Sequence, residues 1–453
     1  MAEKKKGDTL FDILRDYQKE ALQKFLENEQ GTVVLPTGTG KTLIAVAAIK
    51  TLRERGLIDA YVVTVPTIAL AVQWEGVLRE HGVPASAYLY WEKNVFTSTV
   101  FPYPTFIKVS KRFSELAKSR TIESYIKGGE QRVVNPERIL LIVDEAHHAH
   151  KGRKLYSAVK NFPAKYKLGL TATERSDMAL PVIFKLTYEQ LKPYIPSVYF
   201  KEVMIWPDYE FARKYRSLTN GIIDTLSEME RLVKTRPKNR EERKKFEEEF
   251  RELEERYTRL LGARFTLISL YNKVLFATVT EVGGLQGKTL VFTMRLEAIR
   301  EMASFLHTFY KKKVIPVLSK EDADRLRKEE WDIAIAAKRL GEGVDLPEVQ
   351  NIVLSSYPEE LRTLIQEVGR GMRGGPNKTL RIIVMVVRNT YELKAIENLL
   401  KFFGILPNEI EDYDTGEAYK GREEIERLLK PTKEEKEEEE QMRKFFSPKR
   451  RKK

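Results

Sequence analysis

Short runs of unbroken Val, Ile and Leu, separated by helix-length stretches, narrow this chain to one fold class. TVVL (32–35), AYVVTV (60–65), ILLIV (139–143) and YKLGLT (166–171) recur through the front of the chain. They lack the strict alternation of apolar and polar residues that marks a strand with one wet face, so both faces of each have to be covered. The same rhythm returns in KTLVFT (288–293), WDIAIAA (331–337), NIVLSS (351–356) and LRIIVMVV (380–387). Strands covered on both faces imply parallel sheets with helices on either side. Two such blocks predict an α/β chain with two parallel-sheet lobes.

Between the blocks the period changes. Phe211, Tyr215, Leu218, Ile222, Leu226, Met229 and Val233 recur every three or four positions, and so do Phe246, Phe250, Leu253, Tyr257 and Leu260. KTRPKNR (234–240) joins the two series and holds a proline suited to a turn. The pattern predicts an antiparallel helical hairpin with one apolar seam and charged outer faces. Such a hairpin serves either as a packing arm or as a protrusion that grips a nucleic-acid backbone. Beyond Pro431, KEEKEEEE leads into QMRKFFSPKRRKK, a charge block for which disorder or a frayed helix is expected. The division that follows is a first lobe over 1–206, the helical insert over 207–270, a second lobe over 271–405, and a C-terminal extension with a charged tail over 406–453.

With 79 Lys and Arg against 66 Asp and Glu, the formal net charge is +13. That excess suits a polyanionic partner such as nucleic acid, although a solvated surface also accounts for it. The absence of cysteine excludes disulfides and cysteine-bound zinc or iron–sulfur centres. No apolar run approaches the ~20 residues that span a bilayer. MAEKKKGDTLFDILRD lacks the apolar core of a signal peptide. The expectation is a soluble intracellular protein, cytoplasmic and nucleoid-associated.

Three segments carry chemistry. LPTGTGKT (35–42) lies between an expected strand and the helix-like LIAVAAIKTL, the setting of a phosphate-binding loop. Thr37, Gly38, Thr39 and Gly40 would turn backbone N–H groups toward phosphate oxygens, Lys41 would bring positive charge to the β- and γ-phosphates, and the Thr42 hydroxyl would ligate Mg²⁺. VDEAHHAH (143–150) ends the ILLIV strand, at the sheet edge where ligands bind. There Asp144 is placed to hold Mg²⁺ and Glu145 to orient or deprotonate the attacking water. His147, His148 and His150 could suggest a metal cluster, but zinc wants three or four convergent ligands; coupling of His147 to the other lobe is the stronger reading. In QEVGRGMR (366–373), Gln366, Arg370 and Arg373 recur about one helical turn apart, and two such arginines suit phosphate contacts. An exposed, salt-bridged helix is the plain alternative.

Together these segments resemble the motifs of the superfamily 2 DEAD/DEAH-box helicases. LRDYQ (14–18) looks like the Q motif, LPTGTGKT like motif I, VPTIALAVQW (65–74) like motif Ia and DEAH (144–147) like motif II. TAT (171–173), LVFTMR (290–295), RLGEGVDLP (339–347) and QEVGRGMR look like motifs III to VI, in the family's order. The wording of motif Ia, the LGLTATERSD stretch and the charged helical insert point to the XPB-like branch, here of archaeal type. That branch usually carries an N-terminal damage-recognition region, for which the position of LRDYQ leaves no room. The resemblance implies two RecA-like lobes that close over ATP, with the insert as a thumb. It also implies that Gln18 reads adenine beside Arg15, and that Gly343 and Asp345 face the cleft. Pro66, Thr67, Thr105, Thr293, Arg295, Lys338 and Arg339 would lie along the nucleic-acid groove, where sequence-blind backbone contacts call for hydroxyl, amide and basic groups.

The function expected is an ATP-dependent helicase or translocase acting on DNA, with ATP and Mg²⁺, in repair, replication or transcription. An RNA helicase or RNP remodeller is one alternative. A clamp-binding adaptor with a nucleic-acid-stimulated ATPase is another. In the tail, Met442, Phe445 and Phe446 have the spacing of a box that binds a sliding clamp (PCNA). A nuclease partner is also compatible with the chain, in which no nuclease-like acidic cluster stands out.

Overall fold

A computed structural model describes residues 14–87, 99–118, 123–125, 131–133, 135–235, 240–337, 348–358, 361–369, 371–372 and 375–446. The chain divides into two compact units that part between Ile195 and Pro196.

The first unit is built on strands β1 (Gln30–Val34), β2 (Ala60–Val65), β3 (Ser86–Ala87), β4 (Thr99–Pro102), β7 (Ile139–Asp144), β8 (Tyr166–Thr171) and β9 (Val182–Lys185), with a separate antiparallel pair β5 (Glu123–Tyr125) and β6 (Gln131–Val133). The sheet runs β3-β4-β2-β7-β8-β1-β9 and every neighbouring pair is parallel. β8 is buried throughout and β7 up to its last residue, as their unbroken apolar runs require. The helix Lys41–Glu54 buries every residue from Ile44 to Ile49, with three alanines among them. Gly169 in β8 lets the strands close up, since a Cβ there would lie 2.6 Å from the Thr32 hydroxyl and 3.0 Å from the Ala146 side chain.

The second unit contains β10 (Ser197–Ile205), β11 (Thr289–Thr293), β12 (Val314–Val317), β13 (Ile333–Ala337), β14 (Asn351–Leu354), β15 (Thr379–Val387), β16 (Glu409–Asp412) and β17 (Ala418–Tyr419). Its order is β12-β13-β11-β14-β15-β10-β16-β17, parallel except for the last pair. The expected first lobe over 1–206 is therefore too long. β10 pairs along its whole length with β15 and belongs to the second sheet. Its charged Lys201 and Glu202 interrupt the apolar run, and its partner lies far along the chain.

The helices Tyr209–Lys234 and Arg240–Ser269 lie side by side, with Leu260 against Gly221 and Arg256 paired to Glu228 at 3.2 Å. Their base is part of the second unit's core, where Phe211, Tyr215 and Ile268 cluster with Ile299, Val353 and Met385. Among the described residues no single helix is long and apolar enough to cross a membrane.

Of the two expectations for the tail, disorder or a frayed helix, the structure has a helix over Lys433–Phe446, and it is anchored. The Glu435 carboxylate meets Arg388 at 3.1 Å, with both side chains almost wholly buried. One turn on, Glu438 accepts from the Tyr215 hydroxyl and from Arg264, each at 3.0 Å. The run KEEKEEEE looks uniformly solvated, yet two of its acids share a face and reach buried arginines. The side chains of Met442, Phe445 and Phe446 lie outside the described residues.

Replacing Glu435 with Ala leaves Arg388 buried without its carboxylate, and the second unit should lose about 3–5 kcal/mol in a urea melt. A loss near zero would show that the tail helix is not anchored there. A second test concerns Glu392, fully buried, with Oε2 accepting from the Val387 N–H at 3.0 Å and no hydrogen-bond partner for Oε1 among the described residues. Burial pushes this carboxyl from an ordinary 4.5 up to about 8. The folded state therefore holds the proton more tightly than the unfolded chain. The stability this contributes is complete below the ordinary value and lost as pH rises through about 8. Glu392→Gln cannot ionise, so its melting temperature should gain on the wild type between about pH 5 and about pH 8. A constant offset between the two would contradict the buried neutral acid.

Candidate active site

The parallel strands of the first unit end together at one edge, and the functional segments leave from there. After β1 the chain passes through Gly38 (φ 78°) and Gly40 (φ 76°), left-handed conformations that glycine enters without strain. Gly40 is also hemmed in, since a Cβ would stand 2.5 Å from the amide nitrogen of Gln18. Thr37 is half-buried, while the buried Thr39 donates its hydroxyl to the Pro36 carbonyl at 2.7 Å. Lys41 and Thr42 open the helix Lys41–Glu54, and the Lys41 ammonium lies across the loop on the carbonyls of Leu35 and Pro36 at 3.0 and 3.1 Å. A left-handed loop running into a helix N-terminus, with a lysine over it, is a site for the phosphates of a nucleotide.

The loop is braced by LRDYQ. The Gln18 amide donates to the carbonyls of Thr39 and Gly40 at 2.9 and 3.3 Å, and its oxygen accepts from the Arg15 N–H at 2.9 Å. Tyr17 donates to the same Thr39 carbonyl at 2.7 Å, and Arg15 reaches the Tyr194 carbonyl at 2.6 Å. In this structure the Gln18 side chain holds the phosphate loop.

At the end of β7, Glu145 is itself left-handed (φ 48°, ψ 48°) and leads into a short turn over Ala146–His148. Glutamate keeps that conformation only where its surroundings hold it. The Tyr103 hydroxyl donates to the Asp144 carbonyl and has the Glu145 carbonyl at 3.1 Å, so it grips the peptides on both sides. The Trp74 indole donates to Asp144 Oδ2 at 2.8 Å. His147 lies with Nδ1 at 2.7 Å from the Thr171 hydroxyl and 3.3 Å from the Glu145 carboxylate. His147 thus joins the end of β7 to the end of β8, inside the first unit.

The two carboxylates are pushed apart in acidity. Burial and the neighbouring Glu145 charge raise Asp144 to about 6, against the pull of Trp74 and Lys41. Burial also raises Glu145, but the His147 hydrogen bond and the charges of Lys41, His147 and His148 outweigh it and hold Glu145 below its ordinary value. Two crowded carboxylates, of which Asp144 is short of positive charge, make a donor set that fits a divalent cation, with the Thr42 hydroxyl at the head of the neighbouring helix. Separate acidities in adjacent acids also suit separate roles.

Other expected contacts fall differently. Pro66 and Thr67 follow β2, and Thr67 caps the helix Ile68–Glu80, accepting from the Leu70 N–H at 3.3 Å. Thr105 lies half-buried in the first turn of the helix Tyr103–Lys118. Thr293 is only 1% exposed and shares a hydroxyl contact with Ser356 at 3.1 Å, so it is part of the second unit's interior and not of a groove. Arg295 donates to the Gly262 carbonyl at 2.6 Å, tying its lobe to the long insert helix. Lys338, Arg339, Gly343, Asp345, Arg370 and Arg373, and the side chain of Gln366, lie outside the described residues.

Residues 12–176 match the family described as Type III restriction enzyme, res subunit, and residues 276–375 match the helicase conserved C-terminal domain. The chain belongs to the superfamily 2 helicases. Among relatives of this family, the DNA 3′-5′ translocase XPB2 of Sulfurisphaera tokodaii is 26% identical over 409 residues, taking in 84% of this chain and 83% of that protein. The XPB helicase/translocase subunit of the general transcription and DNA repair factor IIH of Enterocytozoon bieneusi is 26% identical over 241 residues, which is 45% of this chain and 35% of that one. The fold is shared with the Hef helicase domain of Pyrococcus furiosus, at a TM-score of 0.52 and 18% identity over 85% of this chain and 98% of that one. It is shared also with the restriction-modification enzyme LlaBIII, at a TM-score of 0.53 and 15% identity over 86% of this chain and 30% of that one.

Sequence reasoning missed Tyr17, Trp74, Tyr103 and Tyr194 as parts of this helicase site. The first three stand inside or beside recognised motifs, so an aromatic in a motif was a usable signal. Tyr194 had none, since it stands far along the chain from the Arg15 and Tyr17 that it meets through its carbonyl and its ring. Glu145→Gln keeps the shape and an oxygen for His147 but cannot take a proton. ATP turnover should fall about 10²-fold or more with nucleotide affinity retained, the size expected for losing a general base. Normal turnover in the purified variant would remove Glu145 from that role.

Proposed function

We propose that this chain is an ATP-driven translocase or helicase that moves 3′→5′ on DNA. The observation that carries this reading is the meeting of phosphate loop, paired carboxylates and His147–Thr171 link at one sheet edge. The match to an archaeal DNA translocase along most of the chain supports DNA as the track, as does the +13 charge.

Lys41 and the loop N–H groups hold the phosphates of ATP, and Thr42 with Asp144 hold magnesium. Magnesium, when bound, neutralises charge on the β- and γ-phosphates. Glu145, fixed by Tyr103 and His147, orients a water and takes its proton. Arg370 and Arg373 supply charge to the γ-phosphate from the second unit, together with Gln366. Hydrolysis removes the group that both units grip, so closing and opening alternate with turnover. The helical insert and the ends of β2 and β4 take the DNA backbone.

ATP turnover measured with duplex DNA, single-stranded DNA and RNA tests the proposal. DNA should stimulate turnover strongly and RNA weakly, Lys41→Ala should abolish it, and Arg373→Ala should slow it with little change in nucleotide affinity. Stimulation by RNA alone would move the protein to RNA remodelling, and no stimulation by any polymer would end the motor reading.

A further inference from the structure

In the first sheet β4, β2 and β7 are consecutive neighbours. The segments that follow β2 and β4 each send one aromatic side chain back to the acidic pair at the end of β7, one to a carboxylate and one to the backbone. From the β2 side this is Trp74, 2% exposed, on the helix Ile68–Glu80. The opposite face of that helix shows Ile68 and Val72 to solvent, at 45% and 52% exposure. From the β4 side it is Tyr103, the first residue of the helix Tyr103–Lys118, with Pro104 exposed beside it. The two partners are not redundant. Trp74 holds the carboxylate of Asp144, whereas Tyr103 holds the carbonyls on either side of the left-handed Glu145.

We infer that Trp74 and Tyr103 are positioning residues through which nucleic acid seated on the β2–β4 edge sets the geometry of Asp144 and Glu145. The inference rests on the proposed reading that nucleic acid lies along this edge. Each helix meets solvent on one side and the acidic pair on the other, through the Asp144 carboxylate for one and the backbone of Asp144 and Glu145 for the other. A shift of either helix start under a bound backbone has to move the Asp144 carboxylate or the peptides around Glu145. A left-handed glutamate makes that point responsive, because it stays in place only while its neighbours hold it. Both aromatics spend a hydrogen-bond donor on the site and neither has to touch nucleotide.

Trp74→Phe and Tyr103→Phe each remove one donor and keep the ring. The quantities to compare are kcat with and without saturating duplex DNA, KM for ATP, duplex affinity and melting temperature. In both variants the ratio of stimulated to unstimulated kcat should fall about tenfold, the order of one intramolecular hydrogen bond. KM for ATP and duplex affinity should hold. A structural role alone would lower stability without splitting kcat from KM. A second readout needs no change at either position. The Trp74 indole N–H resonance, assigned with Trp91, Trp206 and Trp331 substituted, should shift when duplex is added without nucleotide. A stimulation ratio preserved in both folded variants, or a resonance that duplex does not move, overturns the inference while leaving the motor reading intact. A wild type that no polymer stimulates overturns the motor reading itself.

Discussion

The first unit is organised around two adjacent carboxylates that cannot be comfortable together. Asp144 and Glu145 end a buried strand side by side, so crowding and mutual repulsion make a second charge there costly. Trp74, Tyr103, His147 and Lys41 each answer part of that cost. Trp74 donates to one carboxylate, and His147 faces the other. Tyr103 secures the backbone between them. Lys41 contributes field to both. What is left is a raised Asp144 that favours a cation and a lowered Glu145 that stays ionised.

Sheet register brings these groups together. β8 lies between β1 and β7, with Thr171 beside Val34 and Leu170 beside Asp144. The phosphate loop, the TAT segment and the acidic pair therefore leave the sheet side by side. Gly169 is what lets Thr32 and Ala146 approach across β8. In the second unit the same logic serves anchoring instead of chemistry. Arg388 and Arg264, both buried, draw Glu435 and Glu438 out of an acidic run and tie the tail helix to the insert and the sheet.

Much of this was legible in the sequence, for physical reasons. Strands buried on both faces write themselves as unbroken apolar runs, so β2, β7, β8 and β15 were plain. The phosphate loop was plain because its glycines and lysine are local requirements. β10 and β16 were not, because a strand bearing Lys201 and Glu202, or one as short and acidic as EIED, does not stand out as buried. Thr293 was placed in a groove on resemblance, while a neighbouring serine cluster that no local pattern announces buries it. Supporting contacts were hidden for the same reason. Trp74 meets Asp144 from 70 positions away, and only the folded sheet brings them within reach.

The most direct measurement is an experimental structure of the protein with Mg²⁺ and a non-hydrolysable ATP analogue. The expected complex has phosphate oxygens on Lys41 and the loop N–H groups, the metal on Thr42 and Asp144, and Glu145 facing a water next to the terminal phosphate. A nucleotide seated away from this edge, or a metal held without Asp144, would contradict the assignment of these two carboxylates as the centre of the machine.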